Sequence, residues 1–302
     1  MSLLLQILQT QTAPAANSLT NVFLPVALSV IMLGLGLSLT LDDFKRIVKY
    51  PKAVFIGLVC QMLLLPVVCF FIAKGFGLEP ALAVGLMLLA ASPGGPTANL
   101  FSHLAKGDVA LNITLTAMNS LITLLTLPFI VNFSIQYFMQ TVMAVPMQFS
   151  KIVEVFAIVL IPVSIGMVIN AQKPMVSQKL DKPVKILSAL FLALIIVGAV
   201  LKEKENVALY FQQVGVAALL FNILSMAIGY YIPQMFKINH KQSVAIGMEI
   251  GIHNGTMAIY IAFNVLNNSA MSIPPAIYSL MMFFTAALFG YLVNKRKVAK
   301  MD

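Results

Sequence analysis

Charged side chains fall in a few short clusters along this chain. Between the clusters run nine apolar segments, at approximately 21–41, 53–73, 79–105, 109–136, 151–171, 186–201, 206–233, 242–267 and 271–294. A helix that crosses a bilayer needs about 20 consecutive, mostly apolar residues, and most of the segments supply them. The sixth is short, but Lys185 and Lys202 at its ends can extend their ammonium groups to the interface. Of the 302 residues, 60% are hydrophobic and 10% charged, whereas soluble domains average about 45–50% and about 25%. That balance excludes a soluble globular enzyme, a disordered chain and a nucleic-acid-binding domain. It predicts an all-α polytopic membrane protein with nine transmembrane helices.

The sign of the charges tests the span count. With the N-terminus outside, nine crossings put fifteen of the nineteen basic residues on the inner side and leave Lys74, Lys151, Lys202 and Lys204 outside. Lys and Arg collect on cytoplasmic loops, so the net charge of +9 reads as topology rather than affinity for an acidic partner. The expected location is the cell (inner) membrane, with the C-terminus cytoplasmic. The expected organisation is an extramembrane or interfacial segment at 1–20, a first repeat of four helices at 21–136, a second of five at 151–294, and a tail at 295–302. Residues 1–18 weakly resemble a signal peptide, but they lack a basic start and Gln6 and Gln9 interrupt their apolar run. They read as a short interfacial helix or a frayed end. The loops near 137–150 and 172–185 have about fourteen residues each, too few for a soluble domain, so function is expected inside the bilayer. Cys60 and Cys69 lie on opposite faces of one helix, about 13 Å apart along it. That separation is too large for a disulfide, and both are expected in the core.

Two segments are interrupted at their middles. The third carries Ser92-Pro93-Gly94-Gly95-Pro96-Thr97-Ala98-Asn99 and the eighth carries Glu249-Ile250-Gly251-Ile252-His253-Asn254-Gly255-Thr256. Proline cannot donate a backbone N–H and glycine loosens the helix. Irregular backbone at membrane depth is tolerated only where it is buried in protein or lines a wet cavity. The two segments run in opposite directions, each second-to-last in its half, which is the layout of an inverted repeat. Paired interrupted helices at corresponding positions are the best sequence pointer to a secondary transporter's site. A broken helix exposes carbonyls on one side, which attract cations, and N–H groups on the other, which attract anions.

Nine of the ten acidic residues lie in loops, at the C-terminus or near a segment end; only Glu249 lies deep, beside a break. An ionisable group inside the membrane is a functional-site candidate by default. Hard cations prefer oxygen ligands, and the polar residues near the breaks are rich in oxygen. Asn99 follows the first break, Gln61 lies mid-segment in the second span, and Asn112 and Thr116 share one helical face. Asn119, Ser120 and Thr123 continue that stripe. His253, four residues after Glu249, could pair with it, donate to a substrate or carry a proton.

These residues resemble the bile acid:sodium symporter family. The resemblance is carried by Gly34-Leu35-Gly36-Leu37-Ser38-Leu39-Thr40, Pro93-Gly94-Gly95 with Thr97-Ala98-Asn99, Leu104-Ala105-Lys106-Gly107-Asp108, and Glu249-Ile250-Gly251-Ile252-His253-Asn254. It covers about residues 20–294 and points to a bacterial member. It implies a panel domain and a core domain, with two broken helices crossing in the core. It also implies a first sodium site of Asn99, Asn112, Thr116 and Glu249 with the Ala98 position, where Ser is usual. A second would use Gln61, Glu249, His253 and the carbonyls of Ile250 and Ile252, with His253 in place of the usual Gln. One or two coupling sodium ions are therefore expected. Where bile-acid-binding relatives carry a His-Asn pair, this chain has Phe283 and Phe284.

The resulting expectation is a sodium-coupled symporter of an organic anion, bile-acid-like or a small carboxylate such as pantoate or pyruvate. The anion would sit near Pro96, Thr97, Asn254, Gly255 and Thr256, and the panel would comprise the first, fifth and sixth segments. The partners are the anion, sodium and the lipid bilayer, with no obligate protein partner evident. An alternative couples transport or export to protons through Glu249 and His253. Related arsenite exporters typically use a core Cys, but Cys60 and Cys69 lie at neither break. An intramembrane hydrolase would need paired carboxylates, a Ser–His dyad or a metal-ligand set at one depth, and the chain has a single deep carboxylate. The reading is therefore not an enzyme. A receptor without transport would bind ligand without flux.

Overall fold

The computed structural model describes residues 16–140 and 149–298. Among them the only β pairing is one antiparallel bridge, between Gly94 and His253. The helices are α1 (Ala16–Ser38), α2 (Leu41–Lys45), α3 (Pro51–Gly75), α4 (Pro80–Ala90), α5 (Ala98–Leu104) and α6 (Val109–Met139). They continue as α7 (Phe149–Gln172), α8 (Pro174–Lys202), α9 (Val207–Met235), α10 (His240–Gly251), α11 (Gly255–Val265) and α12 (Ile273–Val298). Six of these described helices (α3, α6, α7, α8, α9 and α12) are long and apolar enough to cross a membrane, and α1 with α2 makes a seventh if that pair, bent by 72°, is one span. The pairs α4–α5 and α10–α11 occupy the two segments expected to be interrupted.

The helix ends differ from the apolar segments in an instructive way. Residues 172–185, expected as a loop, are helical except for Lys173, because α8 starts at Pro174 rather than near 186. Proline is favoured in a first helical turn, and the charges of that stretch sit on exposed turns, with Lys185 bonded to Asp181 at 2.7 Å. Hydrophobicity marks where water begins, not where a helix stops. For the same reason α6 continues past 136 through a π turn at Ile135–Met139, and α12 runs into the expected tail as far as Val298. Helix α1 begins at Ala16, inside the segment expected as extramembrane; residues 1–15 and 141–148 lie outside the described part.

Helices α1, α7 and α8 pack mainly on one another. Membrane helices gain little from hydrophobicity against lipid and associate where small residues let backbones approach. A Cβ at Gly36 would lie 2.2 Å from the Val163 carbonyl oxygen, and one at Gly166 would lie 2.6 Å from that of Leu33. The last carbonyls of a helix lack intrahelical partners, and neighbouring helices satisfy two at the end of α1: Ser177 Oγ donates to Leu37 O (2.8 Å) and Asn170 Nδ2 to Leu39 O, just past the helix (2.9 Å). The chain then turns into α2, where Asp43 accepts from both the N–H and O–H of Thr40 at 2.7 Å each. Only 22% of the apolar window of α7 and 17% of that of α8 is buried, against 50% for α6 and for α9. This trio is therefore a thin layer beside a thicker bundle that holds both interrupted pairs.

Helix α11 joins the two parts, packing on α1 and α8 as well as on α12. The buried Tyr260 donates to Glu154 Oε1 of α7 at 2.9 Å, and Glu154 also accepts from Lys151 at 2.7 Å. Lys202, at the end of α8, lies 4.6 Å from the centre of the Phe263 ring. Both expected core cysteines are buried, as free thiols.

Candidate ion and anion site

The two interruptions meet face to face. Gly95 N–H donates to Ile252 O at 2.6 Å and Asn254 N–H donates to Pro93 O at 2.9 Å, flanking the Gly94–His253 bridge. Each break thus satisfies polar groups that the other leaves open, as buried backbone requires. Neither Gly94 nor Gly95 has a positive φ, so the glycines serve space rather than the looseness expected of them. A Cβ at Gly94 would lie 2.2 Å from Glu249 Oε1, and one at Gly95 would lie 3.0 Å from His253 O.

Glu249 is fully buried in the last turn of α10. The stripe on α6 holds both its oxygens: Thr116 Oγ1 donates to Oε2 at 2.6 Å and Asn119 Nδ2 donates to Oε1 at 2.9 Å. One turn away, Asn112 Nδ2 donates to Ala245 O of α10 at 2.8 Å. The structure therefore brings Asn112, Thr116 and Glu249 together as expected. Ala98 is buried and opens α5, which packs on α6 and α10. The carbonyl oxygens of Asn99, Asn112 and Asn119 are all buried without a hydrogen-bond donor. A buried amide oxygen left unpaired costs about 1–3 kcal/mol, and a cation would satisfy it. Oxygen donors of this kind suit a hard cation. Among the described residues no three His, Cys, Asp or Glu side chains converge.

The expected second set lies across the crossing. Gln61 sits in a π turn of α3 (Cys60–Leu64), an irregularity frequent at functional sites. Its Nε2 donates to Ser92 O at 2.9 Å and its Oε1 has no donor. His253 Nδ1 lies 3.4 Å from the same Ser92 O, and Nε2 is buried without a partner. The ring is stacked on Phe221 (5.7 Å between centres) and meets the edge of Tyr278 (5.4 Å). The pairing of His253 with Glu249 that a proton relay needs is not made; the carboxylate's side-chain partners are Thr116 and Asn119. Ile252 O already accepts from Gly95. Ile250 is fully buried.

The residues expected to face the anion divide into two kinds. Pro96 and Thr97 are part-exposed before α5, and no side-chain bond caps that helix. Thr256 is buried, as is Gly255, where a Cβ would lie 1.9 Å from Ser279 Oγ. Asn254 has a structural task not foreseen for it: its Oδ1 accepts from Met257 N–H at 3.0 Å and caps α11. Phe283 stacks on Phe101 at 5.9 Å, while Phe284 is 80% exposed on the outer face of the bundle.

Two features escaped the sequence reading. Asn119 stood in the polar stripe but not in the expected ligand set, although its spacing of three from Thr116 puts it on the same face. The Tyr260–Glu154 bond joins residues 106 positions apart, and no local signal announces it.

A profile of the Sodium Bile acid symporter family matches residues 25–210. A probable sodium/metabolite cotransporter, BASS1, of Arabidopsis thaliana chloroplasts is 30% identical over 258 residues, covering 84% of this chain and 62% of that one. An uncharacterized sodium-dependent transporter, YocS, of Bacillus subtilis is 25% identical over 286 residues, 94% of this chain and 86% of its own. The ileal sodium/bile acid cotransporter of Oryctolagus cuniculus is 23% identical over 280 residues, 91% and 80% of the two chains. The chain thus spans less than two thirds of the plant relative's length.

Proposed function

The chain belongs to the Sodium Bile acid symporter family, and from that premise we propose that it is a sodium-coupled symporter of an organic anion. A family of symporters is not one of enzymes, in keeping with the composition. The observation that carries the reading is Glu249, fully buried where two interrupted helices cross and held by Thr116 and by Asn119, whose own amide oxygen is buried without a donor. Sodium travels here as a co-substrate. Asn99, Asn112, Thr116 and Glu249 would hold one ion beside Ala98. Gln61 with the carbonyls of Ile250 and Ile252, next to His253, would form a second position. The anion would meet the start of α5 at Pro96 and Thr97 and the start of α11 at Gly255 and Thr256, since a helix start favours negative charge, with Asn254 shaping that end. The substrate class is a carboxylate, bile-acid-like or as small as pantoate or pyruvate.

We read the six long helices, α1 and the two interrupted pairs as nine crossings, with the N-terminus outside and the C-terminus in the cytoplasm. The two repeats would be 21–136 and 151–294, and the host the bacterial inner membrane. Alternating access would rock the thicker bundle against the panel of α1, α7 and α8. The thinness of that trio and its packing mainly on itself support the division. Filling the cation site would draw α5, α6 and α10 together and so fix the helix starts that face the anion.

The test is uptake into proteoliposomes across a panel of organic anions, with Na⁺ replaced by K⁺ at fixed pH. We expect uptake of one carboxylate class to require Na⁺, and Glu249→Gln to reduce it by roughly 100-fold or more, as loss of a principal ion ligand would. Undiminished uptake by that variant would remove Glu249 from the ion site, and equal uptake in K⁺ would remove sodium coupling.

A further inference from the structure

The structure assigns Asn119 to the cation site, as the residue that orients Glu249 and presents a further oxygen to the ion. The inference rests on the cation-site reading above and goes beyond the ligand set that the family resemblance implies.

The assignment begins with helix geometry. Asn112, Thr116 and Asn119 recur at spacings of four and three, so they line one face of α6, and all three are fully buried. Thr116 and Asn119 divide the carboxylate between them, one oxygen each, at 2.6 and 2.9 Å. A carboxylate held at one oxygen can swing about its last bond; held at both, it cannot. The orientation of the Asn119 amide follows from chemistry, because an amide oxygen turned towards a carboxylate oxygen would repel it while the N–H attracts. With Nδ2 committed to Glu249, Oδ1 lies beside the same carboxylate, and it is buried without any donor.

The contrast with other buried polar residues of α6 is sharp. Thr114, Ser120 and Ser134 return their hydroxyls to carbonyls of their own helix, Ala110, Thr116 and Ile130. Those groups are satisfied locally and ask for nothing else. Asn119 reaches across to α10 with one hand and leaves the other empty, which would be costly in a purely structural residue. Ala98 offers no side-chain oxygen where the family usually has one, and Asn119 offers one from α6.

The experiment measures thermal unfolding of the purified full-length protein in detergent against rising NaCl, with KCl holding ionic strength constant. A ligand that favours the folded state raises its melting temperature, so the probe is Na⁺ alone. Asn119→Leu should raise the half-saturating Na⁺ by at least about tenfold, the usual cost of losing a group that orients a metal ligand. Its melting temperature in KCl should shift far less. Asn119→Ser, which is small enough to be accommodated but cannot span to Glu249, should act in the same direction and covers the case in which the Leu variant fails to fold. Thr114→Val, a buried change on the same helix away from the carboxylate, should leave the half-saturation unchanged. If wild-type protein responds to Na⁺ and both Asn119 variants respond at the same concentration, this inference falls and the cation site stands. If wild-type protein shows no response specific to Na⁺, the cation-site reading falls and takes this inference with it.

Discussion

The two interrupted segments solve one problem with different means. The first opens over seven residues, Ala91 to Thr97, between α4 and α5, and holds two glycines, two prolines and no ionisable group. The second opens over only three, Ile252 to Asn254, between α10 and α11, with Glu249 just before the gap and His253 inside it. One provides room and backbone; the other provides charge and side-chain caps. The contacts join the two roles, since the space left by Gly94 is what the Glu249 carboxylate occupies. Two interrupted segments need not divide a site equally: they can differ in chemistry while meeting at one crossing.

The largest expected effect follows from that division. A Cβ at Gly94 meets Glu249 Oε1 at 2.2 Å and Glu249 O at 2.9 Å. The carboxylate cannot yield, because Thr116 and Asn119 hold both its oxygens. Gly94→Ala should therefore lower Na⁺-driven uptake by roughly 100-fold, equivalent to about 3 kcal/mol of overpacking. In the other segment a Cβ at Gly255 would come even closer to its neighbour, 1.9 Å from Ser279 Oγ. That hydroxyl has no hydrogen bond to lose and can turn away, leaving Ser279 Cβ at 3.2 Å. Gly255→Ala should then cost less than about tenfold. Parallel uptake curves would decide: equal losses would mean that the glycines are interchangeable and that the asymmetry has no functional weight.

How much of this was legible in the sequence depends on whether a signal is local. A lone carboxylate in an apolar run, and Pro-Gly-Gly-Pro at mid-segment, are local, and they located both breaks and Glu249. The i and i+4 spacing of Asn112 and Thr116 was equally local, and both reach α10. Asn119 was visible as polar but not as a partner, because only the register between α6 and α10 decides which amide meets the carboxylate. The start of α8 was not legible, since charges on its exposed first turns obey hydropathy without breaking the helix. Asn254 was legible as a polar residue at a break but not as a cap, because capping and a ligand draw on the same side chain at the same place.

A second difference concerns what each broken segment touches beyond the break. Helix α5 packs on α6, α10 and α12, whereas α11 also packs on α1 and α8 of the thin layer. Tyr260 adds the bond to Glu154 on α7. Tyr260→Phe removes that bond while keeping the ring, at a cost of about 1–1.5 kcal/mol. If only one state of the transport cycle makes the contact, its population should fall by roughly five- to tenfold relative to the other. Ile152 of α7 lies with Met257 of α11 at a small apolar gap in this seam, so alkylation of an Ile152→Cys protein reports its opening. Both native cysteines are buried. Faster labelling in the Tyr260→Phe background is expected. Unchanged labelling and uptake would mean that packing alone, and no polar latch, joins α11 to the layer.

The smallest effects separate the two helix starts that face the proposed anion. Asn254 caps α11 through Met257 N–H, and a cap of this kind contributes about 1 kcal/mol. Thr97 stands at the corresponding position before α5 but makes no side-chain cap bond. Asn254→Ala should therefore lower thermal stability measurably, by about 1 kcal/mol, whether or not substrate is present. Thr97→Ala should leave stability within about 0.5 kcal/mol of wild type, as a part-exposed change does. Any loss of uptake in the Thr97 variant would then be a loss of anion contact rather than of fold. It should appear as a raised KM for the anion, with the half-saturating Na⁺ unchanged. If Thr97→Ala instead matched Asn254→Ala in stability and left KM unchanged, the start of α5 would be structural and the anion would have to rest on α11 alone.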